Sequence, residues 1–285
     1  MRKNKVSLTA AGIAMARAIE SEKPAGERVC YDPYARRFIP AWMYYVFGFF
    51  IKSGYAEWRS PGVNGFLVGR DRYIDDVLSD SLNNRIQQLV ILGAGFDSRP
   101  YRFDLAGRVK TFEVDHPATQ QDKLAKLQAI FSKTPAHVTY VPIDFNEQTI
   151  ETRLPEMGYD PKLKTLFIWQ GVTIYLTAEA VDATLNFIVW NSAPGSAIVF
   201  DYIYRQALDG RQKPSEVSSM QRYRFMSGEG LSFGIPEGSV EVFLRDRGFT
   251  QVDDMNAAGL KQAYFTGVNA VRKVSGGYGI VIGKI

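Results

Sequence analysis

The chain is 285 residues long, with 34 Lys and Arg against 30 Asp and Glu, so its formal net charge is +4. Hydrophobic residues make up 46% and charged residues 22%, which excludes a disordered chain and supplies a core for one large domain or two small ones. The charge excess lies wholly in residues 1–40, which hold eight basic and four acidic side chains; the remaining 245 carry 26 of each sign, so no basic face argues for nucleic acid.

The single cysteine, Cys30, cannot form an intrachain disulfide. The two histidines, His116 and His137, are too few for a zinc pattern, so no metal is expected. The longest apolar run, Ala41 to Ile51, is half the length that crosses a bilayer, and no apolar region precedes a small-residue cleavage site. The expectation is a cytoplasmic protein without stable membrane insertion.

In chain order, SLTAAGIAMARAIES (7–21) predicts a helix, with Ser7 or Thr9 as its cap. YDPYARRF follows, broken at Asp32-Pro33, and then the densely aromatic residues 41–58. RDRYIDDVLSDSLN (70–83) is helical, with Ile74, Val77, Leu78 and Leu82 on one face. From residue 88 the texture changes. QLVILGAG is a short apolar run ending in glycines, as a buried parallel strand does. Further strands are expected at 109–115, 137–144, 164–171 and 196–204, with helices from His116 and over 177–190. Residues 205–235 are polar, basic and Gly-containing, and suggest an insertion or lid. PEGSVEVFLRDRG predicts a helix closed by Gly248, and strands at 249–255 and 277–285 finish the chain. Strands alternating with helices mean an open, mostly parallel sheet. We divide the chain into a helical cap over residues 1–83 and an α/β core over 84–285.

The first strand ends in Gly93-Ala94-Gly95-Phe96-Asp97-Ser98. Glycines there let a ligand approach the backbone, and the helix that follows offers amides to an anion. Asp115 lies 22 residues after Gly93, close to the offset at which an acid meets a ribose diol. A dinucleotide fingerprint wants Gly or Ala five residues after the first glycine, and this chain has Ser98. Asp97 adds a negative charge where a pyrophosphate would sit, so a cofactor with a cationic end fits better than NAD. Asp144-Phe145, after the third strand, pairs an acceptor with an aromatic, as an adenine site requires.

These stretches resemble the leucine carboxyl methyltransferase-like family, in particular its bacterial and archaeal S-adenosylmethionine-dependent branch. The likeness runs through YDPYARRF, GRDRYIDDVL, QLVILGAGFDSRPYR, FEVDHP, Asp144-Phe145, FIWQGVTIYLT, GSAIVFDY and FLRDRGF, so it covers nearly the whole chain. It implies a class I methyltransferase, a Rossmann-like seven-stranded sheet with its last strand antiparallel, and S-adenosyl-L-methionine as methyl donor. By position it implies that Gly93 and Gly95 lie against the cofactor, that Asp115 takes the ribose, and that Asp144 and Phe145 frame the adenine. Arg70 matches the arginine that grips the cofactor carboxylate, and Arg17 a second, more loosely aligned basic residue. The fourth strand departs from the pattern: where the family has Glu, this chain has Gln170, which loses a charge pairing with the cofactor's amino group.

The resulting expectation is an O-methyltransferase acting on a carboxylate or hydroxyl of a small, partly apolar molecule. A carboxylate needs no base, whereas a hydroxyl does. Asp201 and Tyr175 are the catalytic candidates, with Asp201 the more plausible base; Tyr175 and Tyr202 could instead line the pocket, and a histidine base is possible only through His116. The aromatics of 41–58 could line an acceptor pocket, pack as core or meet a partner, and the cations of 205–235 could steer an anion. The family's eukaryotic namesake acts on a protein tail, so a protein acceptor stays open. Two other readings are an NAD(P)-dependent oxidoreductase on the same crevice and a cofactor-binding protein that has lost transfer.

Overall fold

The computed structural model describes residues 8–143, 148–209 and 231–285. Seven strands form one sheet: β1 (Gln88–Leu92), β2 (Lys110–Asp115), β3 (Val138–Pro142), β4 (Thr165–Trp169), β5 (Ala197–Ile203), β6 (Gln251–Met255) and β7 (Tyr278–Lys284). Their order is β3-β2-β1-β4-β5-β7-β6. All neighbours from β3 to β5 run parallel, while β7 runs antiparallel to both β5 and β6. The strand order reverses between β1 and β4, and a crevice opens beyond the carboxyl ends of the strands at such a reversal. Every residue of β1 and β4 is buried, which is why they read as continuous apolar runs rather than alternating ones.

Alternate residues of the central strands feed two cores. Val90, Leu92, Phe167 and Trp169 point to one face, where they meet α8 (Ala178–Trp190) and α10 (Val240–Arg245). Leu89, Ile91, Leu166 and Ile168 point to the other face, against α4 (Val63–Asn83) and α11 (Ala257–Tyr264). Phe66, Ile74 and Leu78 of α4 are thus part of the sheet's own packing, although the sequence reading placed all of residues 1–83 in the cap. The helical pattern also starts seven residues earlier than expected, at Val63.

Around the crevice lie α1 (Leu8–Ser21), a 3-10 turn at Ala35–Phe38, α2 (Ala41–Lys52) and α3 (Tyr55–Arg59). The first three share a small core with α6 (Pro117–Phe131) through Met15, Ile19, Phe38, Tyr44 and Leu127. Three short helices complete the chain: α5 (Arg99–Arg102), α7 (Ile150–Glu156) and α9 (Arg205–Leu208). Both described ends of the expected insertion meet. Tyr204 bridges Ile235, the Arg205 amide donates to the Ile235 carbonyl at 2.9 Å, and the Ile235 amide donates to Ile203 at 3.0 Å. Arg211, Lys213, Arg222 and Arg224, the cations read as a lid, lie outside the described residues.

Candidate cofactor site

The crevice is built from turns that only glycine tolerates. After β1 the chain turns at Gly93, with φ +65°, so that its amide and that of Ala94 donate to the Val114 carbonyl at 2.8 and 3.0 Å. A Cβ at Gly93 would strike the Val172 side chain. After β4 the chain turns at Gly171, with φ +69°, where a Cβ would lie 3.0 Å from Ile13 Cδ1. Positive φ disfavours any side chain there, and the crowding adds to that. Helix α1 covers both strand ends, since Ala10 faces Gly95 and Ile13 faces Gly171.

Arg70 comes from the buried face of α4 and is 2% exposed. Its Nη1 donates to Asp201 Oδ2 at 2.5 Å, while Nε and Nη2 are buried without a partner. Unpaired buried donors are costly, and a guanidinium with two nitrogens to spare suits a carboxylate. Asp201 stands at the opposite side of that contact, on β5. Its Oδ1 accepts from the Gly171 amide at 2.6 Å, and its carbonyl accepts from Thr173 Oγ1 at 2.7 Å. Both carboxylate oxygens of Asp201 are thus engaged, one by a cation and one by an amide. Asp201, which the sequence suggested as a base, braces Arg70 in this structure. Tyr175 is half-buried in the 3-10 turn Thr173–Tyr175 beside this strut, and Tyr202 points to the other face of the sheet, donating to Asp254 at 2.9 Å.

Asp115 ends β2. Its two oxygens accept from the Gly95 and His116 amides at 2.5 and 2.6 Å. Burial pushes its carboxyl above the usual range, and those two amides draw it back. Each oxygen keeps a lone pair for further donors, such as a diol. His116 caps α6, with Nδ1 accepting from the Ala118 amide at 3.2 Å. The Ile143 amide donates to the Asp115 carbonyl at 2.9 Å, so β3 delivers the chain beside Asp115. Asp144 and Phe145, the expected adenine pair, lie outside the described residues.

Beneath the crevice runs an ion network that sequence reasoning missed. Arg99, fully buried, donates to Asp97 Oδ2 at 2.5 Å, Asp75 Oδ1 at 2.7 Å and the Gln170 side-chain oxygen at 2.8 Å. Its Nη2 also reaches Asp71 at 3.3 Å, and Arg102 shares Asp75 at 2.6 Å. Burial alone would lower the guanidinium's proton affinity, yet Asp97, Asp75 and Asp71 raise it overall. Burial likewise pushes Asp97 up, but Arg99 and Arg17 more than offset it and hold the carboxyl at about 2. Asp97 is thus ionised and answered by Arg99, so its charge no longer argues by itself against a pyrophosphate. The signal for this network was in the sequence, as the unassigned charges of GRDRYIDD and FDSRPYR.

Arg17 is buried among protein partners. Nε donates to Asp32 at 2.9 Å, Nη2 donates to the Phe96 carbonyl at 2.6 Å, and Nη1 lies 3.6 Å from Asp71. It pins α1 to the YDPYARRF turn and to the loop after β1. Arg70, by contrast, keeps Nε and Nη2 buried without a partner.

A sheet of this order, with its crevice at the β1–β4 reversal, is that of the class I S-adenosylmethionine-dependent methyltransferases. A DUF574-family protein from Streptomyces avermitilis shares the fold at a TM-score of 0.55 and 10% identity, over 96% of each chain. Among curated relatives, YktD of Bacillus subtilis is 30% identical over 200 residues, 70% of this chain and 66% of that one. A protein of Mycolicibacterium gilvum is 30% identical over 264 residues, 86% of this chain and 84% of that one. Both are named "Putative S-adenosyl-L-methionine-dependent methyltransferase". A model of the leucine carboxyl methyltransferase family matches residues 10–189. The chain belongs to that family, and S-adenosyl-L-methionine is its cofactor.

Proposed function

We propose that this methyltransferase is an O-methyltransferase whose acceptor is the carboxylate of a small, partly apolar molecule. The observation that carries this reading is the engagement of Asp201 by Arg70 and Gly171. An acceptor hydroxyl needs a nearby base, and Asp201, the most plausible base among the candidates the sequence offered, is engaged at both oxygens. A carboxylate is already ionised near neutral pH and needs only to be aligned behind the methyl group.

In this reading the cofactor supplies an electrophilic methyl group on a cationic sulfur. Arg70 holds its carboxylate with Nε and Nη2, Asp115 takes the ribose hydroxyls, and Gly93 and Gly95 let the backbone lie against it. Gln170 stands near its methionine end, and Asp144 and Phe145 take the adenine. Helix α1 shuts water out from above, with Ala10 and Ile13 over the glycine turns. No helix among the described residues is long and apolar enough to cross a membrane, in keeping with a cytoplasmic location.

The test is transfer from methyl-labelled cofactor to a panel of matched aromatic and aliphatic acids and alcohols. Label recovered as alkali-labile ester, released as methanol, supports the reading. Label in an alkali-stable ether would overturn it in favour of a hydroxyl acceptor, and label on nitrogen or carbon would overturn O-methylation altogether.

A further inference from the structure

The largest apolar surface among the described residues belongs to α2 and α3. Helix α2 buries only Tyr44 and Gly48 and half-buries Met43 and Ile51, a stripe one residue wide. The rest of its apolar circumference faces outward. Trp42, Tyr45 and Phe49 are each more than 60% exposed, as is Trp58 of α3, with Phe47 and Tyr55 close behind. At about 200 Å² for a whole aromatic side chain, this face leaves on the order of 800 Å² uncovered. The largest apolar patch of a typical monomer is roughly 300–600 Å².

Its composition and rim say what covers it. Residues 36–59 contain Arg36, Arg37, Lys52 and Arg59 against the single acid Glu57, whose carboxylate is engaged by the Gly62 amide at 2.9 Å. Glu22 of α1 meets Lys52 at 2.7 Å, and the rim stays net positive. Arg36 lies over the Tyr44 ring at 4.1 Å, its stem along the aromatic face. Trp and Tyr with one apolar and one polar end, Phe between them and a cationic border are the chemistry of a headgroup layer. Twelve residues give α2 a length of about 18 Å, too short to span a bilayer but suited to lie in its plane. A second copy docked by two-fold symmetry would set cationic rim against cationic rim, whereas an anionic bilayer complements it.

We propose that the α2–α3 face docks on an anionic lipid bilayer, lying flat among the headgroups. Helix α1 packs against α2 and covers the glycine turns of the crevice, so a docked cap holds the crevice beside the membrane surface. The proposal goes beyond the acceptor reading and does not rest on it.

The test is co-sedimentation of the full chain with phosphatidylcholine vesicles, with and without phosphatidylglycerol. Expected is binding to the anionic vesicles, weakened by salt, and reduced tenfold or more in W42S/F49S/W58S. S-adenosylhomocysteine binding by that variant, unchanged, shows that it is folded. Brominated lipid should quench wild-type tryptophan fluorescence, and W42F/W58F should lose most of that quenching. Absence of wild-type binding to anionic vesicles overturns the proposal, as does equal binding by the triple variant. A wild-type dimer that ignores vesicles and dissociates in the triple variant overturns it in favour of a second copy.

Discussion

Arg99 Nη1 donates to the Gln170 side-chain oxygen at 2.8 Å, and this fixes which end of the amide Arg99 sees. An arginine has no acceptor, so only the oxygen can face it. The Gln170 NH₂ group is then left with no partner among the described residues, and the amide offers donors where a glutamate would offer a second acceptor. A cationic amino group gains little from such a neighbour. Restoring the family residue with Q170E should tighten S-adenosylhomocysteine binding by up to about tenfold, more at low salt than at high salt. Calorimetry at two salt concentrations checks it; an unchanged or weakened affinity would show that the ligand's amino group does not sit beside residue 170.

Arg70 should act through binding rather than through chemistry. R70K keeps a cation for Asp201 but cannot offer two parallel N–H groups. A lost charge-assisted pair is worth about 1.5–3 kcal/mol, so affinity for S-adenosylhomocysteine should fall by roughly 10- to 100-fold. The same titration reads this directly. A variant with wild-type affinity would place the carboxylate elsewhere.

The strut reading of Asp201 separates from a base reading by pH. D201N leaves an oxygen for Gly171 but weakens the hold on Arg70. Its KM for the methyl donor should rise, while the shape of the kcat against pH profile stays as in the wild type. If Asp201 were the base, kcat would collapse and the limb that reports its ionisation would vanish.

A second buried carboxylate governs stability. Glu113 on β2 accepts from Lys123 and from Tyr101, each at 2.8 Å, and its other oxygen is buried without a partner. Burial pushes its carboxyl up to about 7, against the pull of Lys123. A raised value in the fold means stability fully present below the unfolded value of 4.5 and lost as pH climbs through about 7. That loss is on the order of 3 kcal/mol. Urea unfolding at pH 5 and pH 8 should show it, and E113Q/K123M, which removes both charges, should flatten the difference. An equally steep difference in that variant would assign the pH dependence to other groups.

The fold was legible because its central strands are continuous apolar runs punctuated by glycines, a pattern tied to two-sided burial. All seven strands fall within three residues of where the sequence places them. Arg70 stood out by its motif, but its partner lies 131 residues away on β5, and no local pattern links the two. The Arg99 network was hidden for the same reason, since Asp71, Asp75, Asp97 and Gln170 converge only when α4, the loop after β1 and the end of β4 meet. A basic residue near a crevice reads the same whether its charge faces a ligand or a protein acid, and the sequence could not show that Arg17 meets Asp32. The aromatics of 41–58 carried no instruction about direction; only the packing of Tyr44 and Gly48 shows that most of them face out.

The seating of α1 is fixed from two sides. Ala10 and Ile13 pack over Gly95 and Gly171, so α1 closes directly on both glycine turns. Lifting it breaks the Arg17 contacts to Asp32 and the Phe96 carbonyl, and at its far end strains the pair between Glu20 and Arg272. Helix α1 is thus tied down at two places, to the loop after β1 through Arg17 and to the segment before β7 through Glu20 and Arg272.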